Sequence, residues 1–158
     1  MKFKIGIVSD THMHSASELP ETLFEALSDV QVIFHLGDIT DMSVLYELET
    51  LCDVYAVAGN MDTYGVKAQL PDSRLVTIEG VRIAITHGSG APSGLPERVF
   101  EKLKIKNPNV MLFGHSHNPY KEDRDGVLLF NPGSLRDGNL GIMELSRGKV
   151  LSAEHISI

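Results

Sequence analysis

Between residues 3 and 60, apolar runs of strand length alternate with stretches of helical spacing, and this alternation restricts the fold more than any other feature. The runs are FKIGIV, VQVIFHL and DVYAVAG. After the first, Leu23, Phe24 and Leu27 recur at helical spacing, with Pro20 tolerated near the helix start. After the second, Asp41 stands where a helix N-cap belongs, and Val44, Leu45, Leu48 and Leu51 supply the apolar face behind it. Strand, helix, strand, helix, strand predicts parallel pairing with right-handed crossovers.

The second half reads differently. RLVTI and VRIAIT flank a Glu79-Gly80 turn and predict a hairpin. A helix with Leu95, Val99, Phe100 and Leu103 on its face follows, then the buried-looking strand VMLFG. Asp125-Gly126 and Arg147-Gly148 mark two further hairpins. With no repeat, linker or low-complexity stretch, the expectation is one α/β domain over residues 1–158. Its first half is expected to be parallel and its second largely antiparallel.

Each of five strands ends in a side chain suited to metal ligation: Asp10 and His12, Asp38, Asn60, His87, and His115 with His117. Just beyond the carboxyl ends of strands in an open parallel sheet lies one common crevice. Asp-x-His and His-x-His put both side chains on one side of an extended segment, because direction alternates with period two. Glycines at 37, 59, 88 and 114 let the chain turn sharply beside a ligand. Taken singly, an Asp after a strand equally serves to cap a turn, and each His equally serves as a bonded residue at a sheet edge. Together, mixed carboxylate, amide and imidazole donors suit Mn, Fe, Ni, Co or Zn better than Ca or Mg. Seven donors exceed one ion's needs. Two ions at roughly 3.5–4 Å, sharing a carboxylate, fit better.

Charge narrows the partners. The net charge is −7, and no basic cluster exceeds KLKIK at 102–106, so long nucleic acids lack the footprint they need. No apolar run approaches the roughly 18 residues of a membrane span, and no export signal is visible. The lone Cys52 fits a small core residue in a reducing compartment, so the expected location is cytoplasmic. Three other histidines stay out of the site. His35 lies inside an apolar run and is expected buried with one hydrogen bond, His155 on the surface of the last strand, and His14 in a solvated loop.

GIVSDTH, HLGD, AGNMD, ITHG and GHSH, in that order, resemble the signature blocks of the calcineurin-like metallophosphoesterases. NPGS at 131–134 extends the resemblance toward the small bacterial and archaeal phosphodiesterase branch. The resemblance implies a four-layer α/β/β/α sandwich of two mixed sheets with a dimetal centre at one end. It assigns Asp10, His12 and His117 to one ion and Asn60, His87 and His115 to the other, with Asp38 bridging. Manganese is the first choice of metal. The nucleophile would be a water or hydroxide activated by both ions, attacking a small phosphodiester, with Asn60 stabilising charge on the phosphate. The NPGS loop, with Asn131 and Ser134, would wall the cleft, or serve merely as a turn, and Arg136 beyond it would touch phosphate. One position departs from the phosphatase pattern. Met61 follows Asn60 where many relatives carry a histidine that protonates the leaving group, and a thioether has no proton to give. The alternatives are a non-catalytic metal-binding scaffold like the retromer subunit of this architecture, and a nuclease on longer chains.

Overall fold

A computed structural model describes residues 2–158. The first sheet starts with the predicted parallel unit. Strand β1 (Phe3–Val8) pairs with β2 (Val32–His35), and β2 pairs with β3 (Asp53–Ala56), all parallel. Helices α1 (Glu21–Ala26) and α2 (Met42–Glu49) form the crossovers. Asp41 caps α2 as expected, its side chain accepting from the Ser43 N–H at 2.8 Å. Val44, Leu45 and Leu48 are buried. Leu51 is not part of the face, because the helix ends at Glu49 and leaves it 37% exposed.

A short helix that the sequence pattern did not announce, α3 (Tyr64–Gln69), follows β3. Only Val66 in it is buried, too little for a periodic signal, although Thr63 caps it through the Val66 N–H.

The second sheet contains β4 (Ser73–Ile78), β5 (Val81–Thr86), β6 (Val110–Leu112), β7 (Tyr120–Arg124) and β8 (Val127–Asn131), in the order β4-β5-β6-β8-β7. The second half is largely antiparallel as expected, but the centre of this sheet is a parallel exception. β5, β6 and β8 run parallel, and only the edge strands β4 and β7 run antiparallel. Hairpin turns disclose which strands are joined, but not that α4 (Leu95–Leu103) carries the chain from β5 to a parallel β6. The final hairpin, β9 (Asn139–Ser146) and β10 (Lys149–Ser157), returns to the first sheet, where β9 lies antiparallel to β1.

Alternation along the strands sorts side chains into three cores. Ile5, Ile7, Phe34 and Leu36 meet Ile83, Ile85, Leu112 and Phe130 between the sheets. Val8 and Ile33 face outward under Leu23, Leu27, Leu45 and Leu48. On the far side, Ala84, Met111 and Leu129 lie under Leu95, Val99 and Leu103 of α4. The result is the expected α/β/β/α sandwich of two mixed sheets. Each fully buried aliphatic side chain contributes about 1.5–3 kcal/mol. The carboxyl ends of β1, β2, β3, β5 and β6 deliver the site. Among the described residues no helix is long and apolar enough to cross a membrane.

Candidate metal centre

Strain marks the places where these strands end. Asp10, His12, Asp38, His115 and His117 all have left-handed backbones, with φ of 55°, 49°, 57°, 72° and 65°. Such conformations cost non-glycine residues about 1–3 kcal/mol each and persist only where the surroundings fix them. Hydrogen bonds do that here. The Asp10 N–H donates to Gly37 O at 3.0 Å and the His12 N–H to Asp38 O at 3.1 Å, tying the loop after β1 to the loop after β2. The His115 N–H donates to Asp10 Oδ2 at 3.1 Å, and Ser9 Oγ donates to the same oxygen at 2.7 Å.

Two buried groups clamp the loops from behind. Asp62 accepts from the N–H groups of Gly59, Asp38 and Thr40 at 2.7, 3.1 and 2.7 Å, joining the ends of β2 and β3. In the NPGS loop, Ser134 Oγ donates to Asp10 O at 3.0 Å and Asn131 Nδ2 to Gly114 O at 3.0 Å. That loop supports the site from beneath, with Asn131 and Ser134 fully buried. Sequence reasoning missed Asp62. Its available signal was an acid two residues beyond a strand-end Asn in a glycine turn. Close approach explains two glycines: a Cβ at Gly59 would fall 2.2 Å from Asp38 Oδ1, and one at Gly114 would fall 2.0 Å from Ser9 Oγ.

Five of the seven expected ligands converge. Asp10 Oδ1 lies 3.4, 3.7 and 3.8 Å from Nε2 of His117, His12 and His87. Asp38 Oδ2 lies 3.2 Å from His87 Nε2 and 3.5 Å from His12 Nε2. Asp10, His12 and His117 form one potential ligand group, and Asp10, Asp38 and His87 another. Asp38 Oδ2 thus lies within reach of His12 and His87, while Asp10 is the residue common to both groups. Asn60 joins at the rim, its Oδ1 3.0 Å from His87 Nε2. His115 turns Nε2 to Gly90 O at 2.8 Å, and its ring meets that of His87 edge-on with the centroids 5.2 Å apart.

The donor set fits cations. Asp10 Oδ1 and His12 Nε2 are buried without a hydrogen-bond partner. His87 Nδ1 donates to Leu36 O at 2.7 Å, so the neutral ring aims an Nε2 lone pair at Asp38 Oδ2 and Asn60 Oδ1, both acceptors. Lone pairs so arranged require a proton or a metal ion between them. Without metal, protons take that part. Burial tends to lower the His87 pKa, but the Asp38 hydrogen bond and the charges of Asp10 and Asp38 raise it above the ordinary range. Burial likewise acts to raise Asp38, yet His87 and the Met61 N–H bring it down to about 2. Asp10 moves up because burial outweighs its histidine neighbours.

The remaining candidates divide. Arg136 is exposed; its N–H donates to Asp10 O at 3.4 Å, and its guanidinium has no bonded partner among the described residues. His14 is exposed, as expected. His35 is fully buried with two partners rather than one: its Nδ1 accepts from the Gly37 N–H at 3.2 Å, and its Nε2 donates to Thr11 Oγ1 at 3.3 Å. Burial and the neighbouring His87 depress its pKa to about 3. His155 is exposed, yet its ring stacks on Phe130 at 4.5 Å and bonds Asn131 O at 2.8 Å, so it braces the NPGS loop. The Met61 side chain is 63% exposed.

A two-sheet sandwich that gathers carboxylates and imidazoles at its strand ends defines the metal-binding phosphoesterase class of fold and site. The chain belongs to the calcineurin-like phosphoesterase superfamily, whose domain profile matches residues 3–144. It is 39% identical over 159 residues to a protein of Methanothermobacter thermautotrophicus named "probable metallophosphoesterase", covering 96% of this chain and 91% of that one. It is 32% identical over 148 residues to a phosphodiesterase of Methanocaldococcus jannaschii, covering 82% of each. The structure of vacuolar protein sorting 29 from Cryptosporidium parvum superposes with a TM-score of 0.81 over 99% of both chains. At 19% identity, that likeness concerns the fold alone.

Proposed function

We propose that this chain is a metal-dependent phosphodiesterase acting on a small phosphodiester, folded as one domain over residues 1–158. The observation that carries the reading is the pair of buried, partnerless atoms Asp10 Oδ1 and His12 Nε2 beside Asp38 and His87, a cluster that no lysine or arginine among the described residues neutralises. Asp10, His12 and His117 would hold one divalent transition-metal ion. Asn60, His87 and His115 would hold the second, with Asp38 between them and Asp10 close to both. When bound, the two ions supply a low-pKa water as nucleophile and neutralise charge on the phosphate.

The protein's own groups do the rest. Leu36 O holds the His87 tautomer and Gly90 O that of His115, so each neutral ring keeps its other nitrogen free to ligate. The Asn60 amide lies at the rim, where its NH₂ can donate to a non-bridging phosphate oxygen, and Arg136 would approach from the Asp10 side. Met61 offers no proton to a leaving group, which favours diesters with acidic leaving groups over monoesters. Manganese is the metal we favour, and the cytoplasm is the location in which we place the chain.

The scaffold alternative draws support from the vacuolar-sorting fold. It leaves unexplained why strained, partnerless ligands would be kept together. One experiment separates the readings: metal analysis of protein purified without chelator, with rates on a diester and a matched monoester before and after verified metal removal. Two equivalents of metal and a diester rate that vanishes on stripping are expected. A rate indifferent to stripping overturns the mechanism, and metal without any turnover favours the scaffold.

A further inference from the structure

Beside the centre, Ala58, Asn60, Lys67, Leu70, Gly88 and Ser89 line a cleft of about 370 Å³, continuous with the ligands Asn60 and His87. That volume is within the roughly 300–1,000 Å³ typical of small-molecule sites. Lys67 enters it from α3. Its Nζ donates to Asn60 O at 3.2 Å, so the ammonium stands directly behind a proposed ligand. Among the described residues Lys67 forms no ion pair, and Asp72, the acid on the same cleft, is engaged by Lys102.

This placement is electrostatically odd. Two divalent ions would outweigh the charges of Asp10, Asp38 and the Asp62 behind them, leaving a cationic centre. A further cation beside it is repelled unless an anion joins the two. The substrate phosphate compensates the metals, so the ammonium calls for a second anionic group.

We propose that this cleft receives one arm of the substrate and that Lys67 recognises a second phosphate on it. The preferred substrates are then diesters whose retained or leaving part is itself phosphorylated. Tyr64, 88% exposed and one turn before Lys67 on α3, extends the same helix face with an aromatic surface suited to a nucleobase. The inference rests on the phosphodiesterase reading for the identity of the scissile group, but its test does not depend on turnover.

The test is calorimetric titration of the metal-loaded protein with thymidine 5′-monophosphate and thymidine 3′,5′-bisphosphate, using wild type and Lys67→Met. A charge-assisted bond to the second phosphate should make the bisphosphate bind about tenfold tighter. The advantage should shrink to about twofold in Lys67→Met, with metal content and melting temperature measured alongside. Equal affinities in the wild type, no binding of either, or an advantage that survives in the variant would overturn the proposal. Rates on thymidine 5′-(p-nitrophenyl phosphate), with and without a 3′-phosphate, keep the two claims apart. Lys67-dependent binding without hydrolysis sinks only the enzymatic reading. Hydrolysis with Lys67-independent affinity sinks only this one.

Discussion

His87 and His115 each give a ring nitrogen to a backbone carbonyl, Leu36 O at 2.7 Å and Gly90 O at 2.8 Å, whereas His12 and His117 have no ring hydrogen bond among the described residues. The contrast runs through the whole centre. On the His87 side the rings are fixed before any ion arrives. On the His12 side the backbone is fixed instead, by His35 through Thr11, by Ser134 and by the Gly37 carbonyl, while His117 stays 40% exposed. Fixing a ring lowers the entropy lost on ligation and raises ligand basicity, and such outer partners are worth about 10–100-fold in metal affinity. On the two-metal reading proposed above, one half of the centre is preorganised and ligation itself would order the other.

The largest test removes what the halves share. Asp38→Ala should lower diester hydrolysis at least about a thousandfold, because several kcal/mol of charge stabilisation converts to that range. Occupancy of both halves should fall together. Two full equivalents of metal in the purified variant would show that Asp38 does not join them.

Acid should reveal the backbone-pinned half. His35 has a folded pKa of about 3 against an ordinary 6.5. Between those values the unfolded chain binds a proton that the folded chain refuses, so stability is full above pH 6.5 and falls as pH drops toward 3. At about 1.4 kcal/mol per pH unit, one such proton removes up to about 5 kcal/mol. Denaturant unfolding of metal-free protein at several pH values reads this. His35→Gln should flatten the profile by about one proton, and an unchanged slope would deny that His35 is the group.

The smallest effect concerns the order of metal release. A graded chelator should draw one equivalent before the other, with affinities about 10–100-fold apart. His117→Ala should abolish the weaker equivalent and leave the stronger one. Loss of both in a single step would erase the distinction between the halves.

The sequence disclosed the candidate ligands more readily than the groups behind them. Asp10, Asp38, Asn60 and the four histidines stand at strand ends, where periodicity stops and a polar residue is conspicuous. Asp62 looks like an ordinary turn residue until the loops it clamps are seen together, and NPGS marks Ser134 without saying that it braces Asp10 from beneath. The parallel β5-β6-β8 arrangement was hidden for a related reason: pairing across long separations leaves no local mark. Likewise α3, with one buried residue, has no apolar stripe to read, although it brings Lys67 to the cleft.

The return of β9 to the first sheet also bears on how the chain folds. Phe3 pairs with Leu145 and Ile7 with Gly141, so β1 lies between β2 and a strand that is distant from it in sequence. During translation β1 therefore waits with one edge open until β9 has emerged, and an open edge invites pairing with another nascent chain. Loop closure of this span must precede the contacts that reward it, which makes the docking of β9 a natural slow step. Asp10 sits two residues beyond β1, and Ser134, five residues before β9, bonds its carbonyl. A nascent chain would thus gain the Ser134 brace on the Asp10 carbonyl only after every residue between the two has been made.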